Sequence, residues 1–133
     1  MNLKPINQTN LYGLNDVFNE LNNLFLNNQL PNKILLSGQK GVGKSTLSYH
    51  LINSILSRGE EFSYNQLRHI IDEKNRSFKL IQNFSNPNFD LIDVLSDKKM
   101  IEISQIRHVI NKTNKSSFND KPRFILIDNI EYL

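Results

Sequence analysis

No cysteine occurs among the 133 residues, which removes disulfides, thiolate metal sites and cysteine nucleophiles from consideration. No apolar run approaches the roughly 18 residues that a membrane-spanning helix needs, so no membrane association is expected. The opening residues Met1-Asn2-Leu3-Lys4-Pro5 lack the apolar core of a secretory leader. These absences make the cytoplasm the expected compartment. Neither sign of charge dominates: 16 Lys and Arg face 13 Asp and Glu, a net charge of +3. That small excess permits a nucleic-acid partner without demanding one. Internal repeats and long linkers are missing too. Asn is abundant but scattered among good apolar positions, so a prion-like reading fails. With 38% apolar and 22% charged residues, the composition is that of one ordinary soluble domain.

What is present begins with Gly38-Gln39-Lys40-Gly41-Val42-Gly43-Lys44-Ser45, a complete G-x-x-x-x-G-K-[ST] phosphate loop. An apolar run at residues 34–36 precedes it, and a helix-like stretch over 45–56 follows. This is the strand–loop–helix setting the motif requires. A triphosphate is a flexible polyanion, and holding one needs several donors converging on a small volume. Gly38, Gly41 and Gly43 let the backbone fold tightly, so that N–H groups across Gly41, Val42 and Gly43 point inward as an anion nest. The following helix adds its positive N-terminal end. Lys44 can reach the β- and γ-phosphates, and the Ser45 hydroxyl can ligate Mg²⁺. ATP with Mg²⁺ is the implied cofactor.

Around this loop the periodicities predict an α/β chain. Val17, Phe18, Leu21, Leu24 and Phe25 recur at helical spacing within residues 15–28, with Pro31 as the stop. After the loop, Leu47, Leu51, Ile52, Ile55 and Leu56 form one face, and Gly59 ends the helix. A short helix is expected over 64–72, with Leu67, Ile70 and Ile71 inward. Strands are expected over 78–81 and 89–95, broken by the turn signal Asn86-Pro87-Asn88. Ile103, Ile106, Val109 and Ile110 mark another helix, with Ser104 in its first turn or at its cap. Lys98-Lys99 and Lys112 to Lys115 read as solvated loop charges. His50, His69 and His108 show no ligand spacing. Phe124-Ile125-Leu126-Ile127 is the cleanest strand, and it ends in Asp128. A buried parallel strand carries such an acid to the sheet's carboxyl edge, where it can hold Mg²⁺ or its water opposite Ser45.

Two phrases, Ile101-Glu102-Ile103-Ser104-Gln105-Ile106-Arg107 and Phe124 through Leu133, join the phosphate loop and Asn86-Pro87-Asn88-Phe89 in one resemblance. From Tyr12-Gly13 to its end the chain resembles the delta-prime subunit of the bacterial DNA polymerase III clamp loader. The resemblance implies an AAA+ module that assembles with other clamp-loader subunits into a ring-like complex and places the sliding clamp on primed DNA. It implies that Tyr12 and Gly13 lie beside the adenine, Thr46 near the α-phosphate, and Arg107, with Ser104, against DNA phosphates. AAA+ ATPases usually place Glu after the Walker B acid. Here that position is Asn129, which can orient a water but cannot accept its proton; Glu131 lies two residues further on. Binding of ATP is therefore expected ahead of hydrolysis, and no residue is assigned as catalytic beyond Asp128 on the Mg²⁺ side.

The ATP-hydrolysing relative carries four zinc-binding cysteines; without them, zinc is not expected. By the same resemblance, residues 1–133 are the N-terminal portion of one AAA+ nucleotide-binding domain. They would hold about three of five core strands and end after the Walker B strand, a fragment of marginal stability alone. The competing expectations are another AAA+ ATPase, such as a helicase loader, and a P-loop small-molecule kinase. The kinase would need an Arg-rich lid that residues 59–78 do not offer.

Overall fold

The computed structural model describes residues 4–38, 43–93, 100–113 and 119–128. The chain divides into two compact units, Met1–Asn83 and Phe84–Leu133. In the first, helix α1 covers Asn15–Leu26 and helix α2 covers Lys44–Leu56, followed by a short helix α3 at Arg76–Gln82. α1 forms where the apolar spacing predicts it, and Phe18 is its fully buried anchor. The Phe18 ring stacks on Tyr64 with centroids 5.2 Å apart and meets the edge of His69 at 5.1 Å. The helix stops earlier than Pro31 would dictate. Asn28 takes φ 57°, while its N–H donates to Phe25 O and the Gln29 N–H to Leu24 O at 2.7 Å. This paired closure of the last carbonyls is a Schellman stop with Asn in the left-handed position.

α2 departs from the one-faced helix expected. Every residue from Tyr49 to Leu56 is buried, including His50, Asn53 and Ser54. Burying such groups is tolerable only when each finds a partner. His50 Nε2 lies 3.0 Å from Gln8 O, so it carries the proton and donates, while Nδ1 accepts from the Tyr64 hydroxyl at 2.8 Å. Burial lowers the His50 pKa to about 4 and pushes the Tyr64 phenol well above its ordinary value. Asn53 and Asn75 exchange two amide hydrogen bonds, both 3.1 Å. Gln66 Nε2 donates to Ser54 Oγ, which donates on to Asn22. Among the described residues, no buried side-chain polar atom is left without a partner.

Two expectations for this unit are corrected. Residues 78–81 are helical, not a strand, because Asn75 accepts from the Phe78 N–H at the N-cap and Glu60 accepts from the Arg76 and Ser77 N–H groups. Both caps favour a helix start, and Phe78 and Ile81 then share its buried face. Residues 64–72 are not a helix. Asn65 and Ile70 form an antiparallel bridge, the Asn65 carboxamide accepts from the Leu67 and Arg68 N–H groups, and His69 sits at φ 54°. The Asn side chain thus outcompetes the helix for local donors, and Leu67, expected inward, is 93% exposed. The segment before α1 is tied to this region: the Ile71 N–H donates to Thr9 O and the Leu11 N–H to His69 O.

The second unit is a β–α–β arrangement: strand β1 at Phe89–Ile92, helix α4 at Ile103–Thr113 and strand β2 at Phe124–Ile127. The strands pair in parallel, with Phe89 opposite Phe124 and Ile92 opposite Ile127. Asn86-Pro87-Asn88 sets the entry. The Asn88 amide exchanges 2.9 Å bonds with Asn119 and donates to the carbonyls of Lys121 and Pro122. At the start of α4, Gln105 returns its side-chain oxygen to the Glu102 N–H at 2.9 Å, one half of a capping box. Ser104 therefore lies in the first turn and is not the cap. Lys112, expected as a solvated loop charge, belongs to α4 and pairs with Asp90 at 2.8 Å.

The described residues hold two strands, where about three of five core strands were expected. Residues 34–36 belong to no strand. An extended segment becomes a strand only through a ladder, and no backbone–backbone hydrogen bond reaches residues 33–37 among the described residues. The strand expectation for 89–95 is met over Phe89–Ile92; residues 94 and 95 lie outside the described residues.

Candidate functional site

The phosphate-loop residues lie in the first unit. Gly43 takes φ 93° and serves as the N-cap of α2, a left-handed conformation that costs any residue with a Cβ. Glycine there turns the chain directly into the helix. It offers no side-chain acceptor to the first turn of α2, and that turn holds no acidic residue. A helix entry of this kind presents N–H groups and positive potential to an anion. Lys44, the first helical residue, bends back so that Nζ donates to Gly38 O at 2.9 Å. The ammonium therefore spans the loop from its last turn to its first residue. Ser45 and Thr46 follow in the first turn and are half-buried. Gly41 and Val42 lie outside the described residues.

Next to the loop is a cleft of about 280 Å³, walled by Leu14, Val17, Leu35, Leu36 and Leu47, with Lys44 at its rim. Leu14 ties the start of α1 to the loop: its Cδ1 lies 3.6 Å from the position a Cβ on Gly43 would occupy. Tyr12 is 78% exposed, and Gly13 turns the chain at φ 78°. Sequence reasoning named Tyr12 and Gly13 but missed the leucine wall. Leu47 read only as a helix residue in the sequence, Leu35 and Leu36 as strand, and Leu14 was not singled out.

Asp128, the acid expected on the Mg²⁺ side, lies in the second unit. Asp128 directly follows β2, and its N–H donates to Ile92 O at 2.9 Å, so the ladder continues to the carboxyl edge and holds the acid there. The register that sets Ile92 opposite Ile127 brings Asp93 to the same edge. Asp93 was not singled out from the sequence, although Leu91-Ile92-Asp93 repeats the strand-then-acid pattern of Leu126-Ile127-Asp128. The Asp93 carbonyl accepts from Gln105 Nε2 at 2.6 Å, which links that edge to the start of α4. Ser104 and Arg107 are both exposed on α4. Asn129 and Glu131, and the lysines at 98, 99 and 115, lie outside the described residues.

This order of loop, helix, strand and acid has a counterpart among known families. A family model described as DNA polymerase III, delta subunit, matches residues 13–133. The chain belongs to that family. No curated protein and no solved structure matches it significantly. As a DNA polymerase III delta-family chain, it is a clamp-loader-type subunit of the replication machinery, in keeping with the resemblance read from its motifs. Of the described helices, none is long and apolar enough to cross a membrane.

Proposed function

We propose that this chain is the nucleotide-binding part of a delta-prime-type clamp-loader subunit. It holds ATP with Mg²⁺ at Gly38–Ser45 and works with sister subunits to place the sliding clamp on primed DNA. The observation that carries the reading is the Gly43–Lys44 corner. A left-handed glycine opens an uncapped helix, and an ammonium group reaches across the loop mouth. The donor set is cationic and rich in main-chain N–H groups, which suits a polyphosphate. Binding requires Lys44 to exchange the Gly38 carbonyl for phosphate oxygens, a charge-assisted and stronger bond. The Ser45 hydroxyl and the Asp128 carboxylate are the Mg²⁺-side groups, and bound Mg²⁺ would neutralise phosphate charge. The leucine-walled cleft beside Lys44 supports a ligand with an uncharged, flat part next to its phosphates. Asn129 in the place of Glu favours a binding role over rapid hydrolysis.

The test is titration of the chain with a fluorescent ATP analogue and Mg²⁺. Lys44→Ala is expected to weaken binding at least about 100-fold, the loss of a desolvated charge-assisted contact. Equal affinity of the two proteins would refute the nucleotide reading. Co-purification with the other polymerase III subunits tests the assembly separately.

A further inference from the structure

The outer face of α4 has a composition that the nucleotide reading does not use. Ile106 and Val109 pack with Ile92 and Ile101 in a buried cluster of the second unit. On the neighbouring face Ile103 is 67% exposed and Ile110 50%, and Met100, just before the helix, is 59% exposed. Arg107 is exposed as well. It stands four residues after Ile103 and three before Ile110, so the three side chains share one stripe. We infer that this stripe docks a helix of a partner polypeptide whose matching face is apolar and carries a carboxylate opposite Arg107.

Charge selects among the possible occupants. A surface that follows a phosphate backbone gathers several cations. Among the described residues this stripe offers Arg107 alone, between two isoleucines, and nearby Lys112 is engaged by Asp90 at 2.8 Å. A second copy of the chain fits poorly for a different reason. Two-fold pairing of a stripe whose middle residue is Arg107 would set that guanidinium against its own copy, and like charges repel. A carboxylate on the partner reverses the sign of that contact. Apolar anchors at i and i+7 with a polar residue between them are the spacing by which an amphipathic helix is recognised.

The probe is a synthetic amphipathic peptide with Leu at the first and fourth position of each heptad and Glu flanking them, followed by fluorescence anisotropy against the full chain. The expected result is saturable binding that falls at least about tenfold in the double variant Ile103→Asp, Ile110→Asp. Arg107→Glu is expected to lower it about fivefold, and a peptide with Lys replacing Glu to restore it. That charge-swap rescue is independent of any effect of the isoleucine changes on folding. Absence of peptide binding overturns the inference, as does binding indifferent to both substitutions. So does a primed duplex oligonucleotide held through Arg107 without regard to Ile103 and Ile110, which would assign the stripe to nucleic acid.

Discussion

Helix α2 of the first unit and helix α4 of the second keep their apolar surface in opposite ways. In the first, α2 is enclosed almost all round, and even its His, Asn and Ser side chains are buried and bonded. In the second, the buried cluster is Ile92, Ile101 and Val109, while Ile103, Ile110, Ile125 and Ile127 remain exposed. The first unit therefore encloses one helix by its own packing, even with Tyr12, Leu35 and Leu67 exposed, whereas the second leaves isoleucines exposed on both its helix and its strand.

Three measurements can break or sharpen that contrast. The largest effect is expected at Phe18, fully buried between Tyr64 and His69. Phe18→Ala should cost about 3–5 kcal/mol in urea unfolding. A loss smaller than that caused by Val109→Ala would mean the first unit is not the better packed. Next comes His50, whose folded pKa of about 4 lies below its ordinary 6.5. The folded state holds it neutral, so the stabilisation is fully present above about pH 6.5. As pH falls toward 4 the unfolded chain takes up a proton that the folded one refuses, with a loss on the order of 3 kcal/mol. His50→Gln should flatten that slope; a wild-type slope in the variant would clear His50 of the role. Smallest is Lys112, paired with Asp90 but 48% exposed. Lys112→Ala should cost less than about 1 kcal/mol, and the cost should shrink further in high salt.

Much of this was legible in the chain itself. Helices α1, α2 and α4 and strand β2 announce themselves by period and by the run of four apolar residues before Asp128, because hydrophobic patterning reports which face is buried. The misplaced segments share one cause. At residues 64–72 and 78–81 the deciding groups are polar side chains, Asn65, Asn75 and Glu60, bonding to backbone N–H groups. Apolar spacing carries no trace of those bonds. Residues 34–36 failed differently, since a strand needs a neighbour and no local pattern supplies one. The turn at Gly43, Lys44 at the start of α2 and Asp128 at the end of β2 were readable because the motif and the strand pattern encode backbone geometry. The leucine wall and Asp93 were not, because only tertiary packing and strand register bring them to the loop and to the edge.

The reciprocal amides Asn53–Asn75 and Asn88–Asn119 give this thiol-free protein two clasps that a reducing milieu cannot open. Their vulnerability lies in chemical ageing. Slow hydrolysis of either primary amide in the Asn53–Asn75 clasp would turn a donor into a carboxylate facing its partner's oxygen. The molecule would then loosen with time in storage while remaining indifferent to dithiothreitol.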